Sequence, residues 1–103
     1  MRVTPEETNN KVESGKALLA CAYNDDAKFR RMQLKGAISL SELESKLESL
    51  PKSQEIIFYC AWMREHTAAS LAAEYIKKGY ENAKCLGGGI DAWKNAGYPV
   101  ESS

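Results

Sequence analysis

Apolar positions in this chain fall into short blocks separated by polar residues, glycines and prolines, and the spacing within each block predicts its conformation. Thr4-Pro5-Glu6-Glu7 predicts a helix start: Thr4 can cap, Pro5 suits the first helical position, and Glu7 can close a capping box. Gly15 is the predicted stop. Residues 17–23 (ALLACAY) are apolar and short, and the Asn24-Asp25-Asp26 that follows favours a strand ended by a turn. A short helix is predicted over 25–31 and a second short strand over 36–38. Within 41–50, Leu43, Leu47 and Leu50 sit at helical spacing ahead of the breaker Pro51.

The clearest strand is 55–59 (EIIFY), rich in β-branched and aromatic side chains. The clearest helix is 67–78, where Ala68, Leu71, Ala72, Tyr75 and Ile76 form one apolar face and Gly79 follows Lys77 and Lys78. A short strand over 83–86, a tight turn at Gly87-Gly88-Gly89 and a short helix over 90–95 complete the pattern, which stops near Gly97 and Pro99. One helix followed by strands alternating with helices predicts an α/β layer fold with a mostly parallel sheet. In such sheets function collects at the carboxyl ends of the strands.

Composition narrows the function classes. The 103 residues fit one domain, 1–103, with no internal repeats, low-complexity segments or linkers. Fourteen basic and 14 acidic residues cancel, so nothing favours a nucleic-acid or anionic-membrane partner. The polar opening MRVTPEETNN lacks the apolar core of a signal peptide, and no apolar stretch is long enough to span a bilayer. Three cysteines, an odd count without paired spacing, argue against a disulfide framework and for a reducing cytoplasm. There is no CxxC and a single histidine, His66, so neither a metal site nor a cofactor is expected.

The chemistry concentrates at Cys60. It follows the strand EIIFY directly, and Thr67 opens the long helix seven residues later. The intervening Ala61-Trp62-Met63-Arg64-Glu65-His66 must turn the chain at the carboxyl edge of the sheet. Backbone N–H groups of this loop and of the first helical turn can converge on one centre, and a helix N-terminus favours negative charge. Both effects stabilise a thiolate, which is the nucleophilic form of cysteine. Cys60 is therefore expected as a solvent-facing thiolate in an anion-binding loop of residues Ala61, Trp62, Met63, Arg64, Glu65, His66 and Thr67. Arg64 and a protonated His66 would add positive charge, and Glu65 would oppose it. Trp62 is either a substrate wall or a lid. Cys21 and Cys85 fall inside predicted strands and read as packing residues. Lys77-Lys78 reads as a solvated helix end, and the triple glycine lacks the spacing of a dinucleotide-binding turn.

From about Val3 to Val100 the chain resembles a single-domain rhodanese, the sulfurtransferase family. The segment IIFYCAWMREHTAASLAA is similar to that family's active-site segment. Leu86-Gly87-Gly88-Gly89-Ile90-Asp91-Ala92-Trp93 matches its L-x-G-G-x-x-x-W ending, in which glycines let the chain turn behind the active loop and Trp93 plugs the core. Upstream, Phe29, Gly36, Ala37 and Ile38 stand where the family has a short acidic helix and a G-A-I strand. The resemblance implies a three-layer α/β/α domain with a small, mostly parallel central sheet. It also implies a persulfide mechanism, in which Cys60 takes sulfur from thiosulfate or a persulfide donor and passes it to a thiophilic acceptor. The implied partners are a small sulfur-containing anion or persulfide donor and a thiol or protein acceptor, with the chain acting as a monomer.

The chain departs from the family pattern in three places. Thr67 stands seven positions after Cys60, a loop one residue longer than that of common sulfurtransferases and equal to that of rhodanese-fold phosphatases and arsenate reductases. His66 stands where those longer-loop enzymes place arginine, which loses a permanent charge and a bidentate fork. That loss is serious for a phosphoester dianion and smaller for a persulfide, so phosphatase and arsenate reductase rank below sulfur transfer. The D-V-R stretch common in the family reads Cys21-Ala22-Tyr23, with Tyr23 packing in place of the arginine, and Gln33 and Lys35 replace the usual histidine and proline. The missing aspartate and arginines make a non-catalytic or sensory module, with Trp62 and Met63 as an exposed apolar tip, the alternative reading.

Overall fold

The computed structural model describes residues 2–60 and 66–100, with His66 described by its backbone alone. In chain order the elements are β1 (Arg2–Val3), α1 (Pro5–Glu13), β2 (Ala17–Cys21), α2 (Asp26–Arg31) and β3 (Ala37–Ile38). They continue with α3 (Leu40–Lys46), a 3-10 turn (Leu47–Ser49), β4 (Glu55–Tyr59), α4 (His66–Lys77), β5 (Ala83–Leu86) and α5 (Gly89–Asn95).

The five strands make one sheet in the order β1-β5-β4-β2-β3, and every strand pair is parallel. β4 is central because it is apolar on both faces, as a strand covered from both sides must be. Ile56, Phe58 and Cys60 belong to one buried cluster, together with Leu40 and Leu43 of α3 and Ala68, Ala72 and Tyr75 of α4. Ile57 and Tyr59 belong to the other, with Leu19, Cys21, Ile90 and Trp93, against which Val12 of α1 and Phe29 of α2 pack. The result is a three-layer α/β/α arrangement, as expected.

The helix starts follow the capping chemistry in the sequence. Thr4 accepts from the Glu7 N–H at 3.1 Å, and Pro5 sits in the first turn. Glu7 closes only half of its box, since its Oε1 accepts from the Thr4 hydroxyl at 3.3 Å and not from a backbone amide. Asp25 caps α2 by accepting from Ala27 and Lys28, and Ser39 caps α3 by accepting from Glu42.

Three expectations change. β1 was not foreseen: two residues carry no period, and Arg2 and Val3 become a strand only through pairing with Cys85 and Leu86. The helix expected over 41–50 begins one residue early and tightens into the 3-10 turn ahead of Pro51. Ile76, placed on the apolar face of the long helix, is 37% exposed. It lies beyond the stripe defined by Ala68, Ala72 and Tyr75, so the sheet does not cover it.

At the amino edge of the sheet, Glu55 Oε2 accepts from Lys11 Nζ at 2.8 Å and from Lys84 Nζ at 2.9 Å. Burial would push the Glu55 carboxyl up, but the two ammonium groups outweigh it and hold the group below its ordinary range. The hydrogen bond to Glu55 holds Lys11 above its own ordinary value. This clamp ties α1, β4 and β5 at the end of the sheet remote from Cys60.

Candidate active site

Cys60 leaves the carboxyl end of β4, the central strand, and α4 begins at His66. Its own backbone is fixed from two sides. The Ala22 N–H donates to the carbonyl of Tyr59, one residue before it, at 2.9 Å. The Ile90 N–H, in the first turn of α5, donates to the Cys60 carbonyl at 3.1 Å. The second bond is what the glycine turn makes possible. Gly88 caps α5 at φ +78°, and a Cβ there would come within 2.6 Å of the Ala92 Cβ. Trp93, 1% exposed, anchors the same helix and donates its indole N–H to the Pro99 carbonyl at 2.8 Å. The turn behind the cysteine and the core plug expected of residues 86–93 are both present.

The expectation of a solvent-facing sulfur needs correction. Cys60 is 1% exposed and lies in the cluster shared with Ala22, Ala68 and Phe58. The reason is the pleat: side chains alternate, so Cys60 follows Ile56 and Phe58 onto the face covered by α4. Of the predicted loop, Ala61, Trp62, Met63, Arg64 and Glu65 lie outside the described residues, as does the side chain of His66. Thr67 is exposed in the first turn of α4.

An open cleft of about 370 Å³ lies at this edge, lined among the described residues by Ala22, Thr67, Ser70, Leu71 and Glu74. Ala22 and Leu71 tie it to the cluster that holds Cys60. Ser70 and Glu74 were not singled out from the sequence. The signal was there: residues 67, 70 and 74 repeat at helical spacing, one polar stripe beside the apolar one.

Cys21 and Cys85 are buried strand residues, as expected, and all three cysteines are reduced thiols. Burial pushes the Cys21 thiol above its ordinary range, against a lowering by the Tyr23 backbone. Cys21 packs on the opposite face of the sheet from Cys60. Tyr59 is pushed up by its burial in the same way, and its hydroxyl donates to the Met32 carbonyl at 3.0 Å. Tyr23 packs against both clusters, and Lys28 Nζ stands 4.6 Å from the centre of its ring. No group of three or more potential metal ligands occurs among the described residues. Nor is any helix among them long and apolar enough to cross a membrane.

A family model for the rhodanese-like domain matches residues 4–96. The chain therefore belongs to the rhodanese-like family, which the cysteine after the central strand and the glycine-tryptophan ending had indicated. A search of curated proteins gave no match. Among solved structures, the Alr3790 protein from Anabaena sp. is similar at a TM-score of 0.82 and 22% identity, over 97% of this chain and 91% of that one. A protein from Rhodopseudomonas palustris, described as of unknown function and a "possible tyrosine phosphatase", aligns at 0.73 and 19% identity over 97% of this chain and 83% of that one. EanB carrying a cysteine persulfide, in a tetrahedral intermediate state with ergothioneine, aligns at 0.76 and 16% identity. That match covers 99% of this chain and 28% of the EanB chain. At these identities the structural likeness is one of fold.

Proposed function

We propose that this chain is a sulfurtransferase that moves sulfane sulfur from thiosulfate or a persulfide donor to a thiophilic acceptor through a persulfide on Cys60. The observation that carries this reading is the position of Cys60. It ends the central parallel strand, its carbonyl is held by the Ile90 amide, and two residues of the cluster around it, Ala22 and Leu71, line an open cleft. Membership of the rhodanese-like family supports the reading, as does the persulfide-bearing EanB neighbour.

In the first half-reaction the Cys60 thiolate attacks the outer sulfur of thiosulfate. A bond forms between Cys60 Sγ and that sulfur, the S–S bond of thiosulfate breaks, and sulfite leaves with the electron pair. In the second, an acceptor thiolate attacks the sulfane sulfur, and Cys60 Sγ leaves as the thiolate. No external oxidant is required, and the two steps make a ping-pong cycle. The acceptor is a thiol or a protein, in a reducing compartment such as the cytoplasm.

Incubation with thiosulfate followed by intact-mass measurement is expected to show the gain of one sulfur atom in the wild type and none in Cys60→Ser. If no donor of either class loads sulfur on the wild type, the reading fails. The non-catalytic module, which the burial of Cys60 favours, would then stand in its place. Phosphatase or arsenate reductase activity has the loop length in its favour, and the description of the Rhodopseudomonas neighbour bears on the phosphatase alone. Failure to hydrolyse aryl phosphates or to reduce arsenate removes it.

A further inference from the structure

The cleft whose apolar wall packs into the cluster around Cys60 has a chemical bias that the sulfur-transfer reading does not specify. Its described polar wall is Thr67, Ser70 and Glu74, and its apolar wall is Ala22 and Leu71. The two hydroxyls offer hydrogen bonds of either sense. Glu74 is the one charged group among the described lining residues, and it is exposed and forms no ion pair among the described residues. No lysine or arginine is among the described lining residues, and Lys28 and Lys78 stand over aromatic rings, 4.6 Å from Tyr23 and 5.2 Å from Tyr75. Glu74 is thus the charge that the described wall itself presents to a space of about 370 Å³.

We propose that this cleft is the acceptor subsite and that Glu74 makes it selective for thiols bearing a cationic group, such as an aminothiol, over anionic ones. The proposal rests on the sulfur-transfer reading. It divides the cycle by charge: the donor is an anion, and the acceptor carries an ammonium group placed against Glu74 while its thiolate approaches the sulfane sulfur. The transfer forms an S–S bond between acceptor and sulfane sulfur, breaks the bond from that sulfur to Cys60 Sγ, and returns the electron pair to Cys60. A carboxylate in a water-exposed cleft is worth a modest factor, reduced by salt.

The test loads wild type and Glu74→Gln with thiosulfate and measures discharge by cysteamine, 2-mercaptoethanol and 3-mercaptopropionate, each rate divided by the thiolate concentration. Differences in intrinsic thiol reactivity cancel when the cationic-to-anionic ratio is compared between proteins. That ratio is expected to fall by about three- to tenfold in Glu74→Gln, to fall further in Glu74→Lys, and to shrink in the wild type at high salt. An unchanged ratio in both variants overturns the proposal. The two readings fail separately, because loading is measured before discharge. If Cys60 never loads sulfur, the ratio is read from the rates at which cationic and anionic methanethiosulfonates cap Cys60, located by peptide mass. Indifference of that ratio to Glu74→Gln overturns the charge assignment on its own account.

Discussion

At the amino edge of the sheet, Glu55 Oε2 lies 2.8 Å from Lys11 Nζ and 2.9 Å from Lys84 Nζ. On the outer flank of α4, Glu74 stands on the wall of an open cleft with no such partner among the described residues. The same functional group thus does two different jobs. Glu55 is spent on holding three elements together, and its charge is cancelled on the spot. Glu74 forms no ion pair among the described residues, so its field is left to act on whatever enters. Removing the first should cost stability, and removing the second should cost selectivity.

The largest expected effect breaks the comparison by dismantling one edge. Trp93→Ala empties a fully buried site and strips the Pro99 carbonyl of its indole donor. A loss of about 3–5 kcal/mol is expected in urea unfolding, a large share of what a domain of this size possesses. Because Trp93 anchors the helix whose Ile90 amide holds Cys60, sulfur loading should fall before global unfolding sets in.

Next comes Gly88→Ala, where positive φ and the approach to Ala92 act together. About 1–3 kcal/mol is expected, again with loading reduced at temperatures where the fold persists. A variant as stable as the wild type would mean that the turn relaxes without disturbing the site.

Glu55→Gln tests the amino edge. It leaves two partly exposed lysines without their carboxylate, and about 1 kcal/mol is expected in denaturant unfolding, with sulfur loading unaffected. Its pH signature is more telling than its size. Glu55 is held below its ordinary 4.5, so its contribution is present above that value and lost as pH falls through the lower folded value. Lys11 is held above 10.5, so its share is present below that value and lost as pH rises through the higher folded value. The difference in stability between wild type and Glu55→Gln should therefore be largest between about pH 4.5 and 10.5 and close at the acid end. A constant difference down to pH 2 would show that the carboxylate charge contributes nothing.

The smallest effect is the sharpest. Glu74→Gln should move the thermal midpoint hardly at all, within about 0.5 kcal/mol of wild-type stability, while changing acceptor preference. A marked loss of stability in this variant would place Glu74 in the same structural role as Glu55 and erase the contrast.

How much of this was legible in the sequence depends on where each element gets its order. β4 falls where its composition predicted, because a strand buried on both faces is written as an apolar run, and β5 falls where predicted although Lys84 interrupts its apolar residues. The long helix starts one residue early and ends one residue early, within ordinary boundary scatter. The tail of the predicted 17–23 strand stops at Cys21, although the Ala22 amide still bonds to β4. β1 left no trace because its order comes from β5 and not from its own two residues. Cys60 was legible as a residue at a strand end, but its inward direction was not read. That direction follows from the alternation of β4 carried one residue past its end. Beyond its helical spacing from Thr67 and Ser70, Glu74 carries no signal of its own in the sequence, because the value of a helix's polar face depends on which elements stand opposite it.

The pairing of β1 with β5 has a consequence for how the molecule assembles. Every neighbouring pair in this sheet is parallel, so no strand meets its partner through a hairpin, and each must wait for a crossover to close. The wait is longest for Arg2 and Val3, whose partners are Cys85 and Leu86. On the ribosome β1 emerges well before β5, the strand it pairs with, and a topology so dominated by distant contacts is expected to fold slowly for its size. The edge strand should zip up late, its amides exchanging with solvent long after those of β2 and β4 are protected.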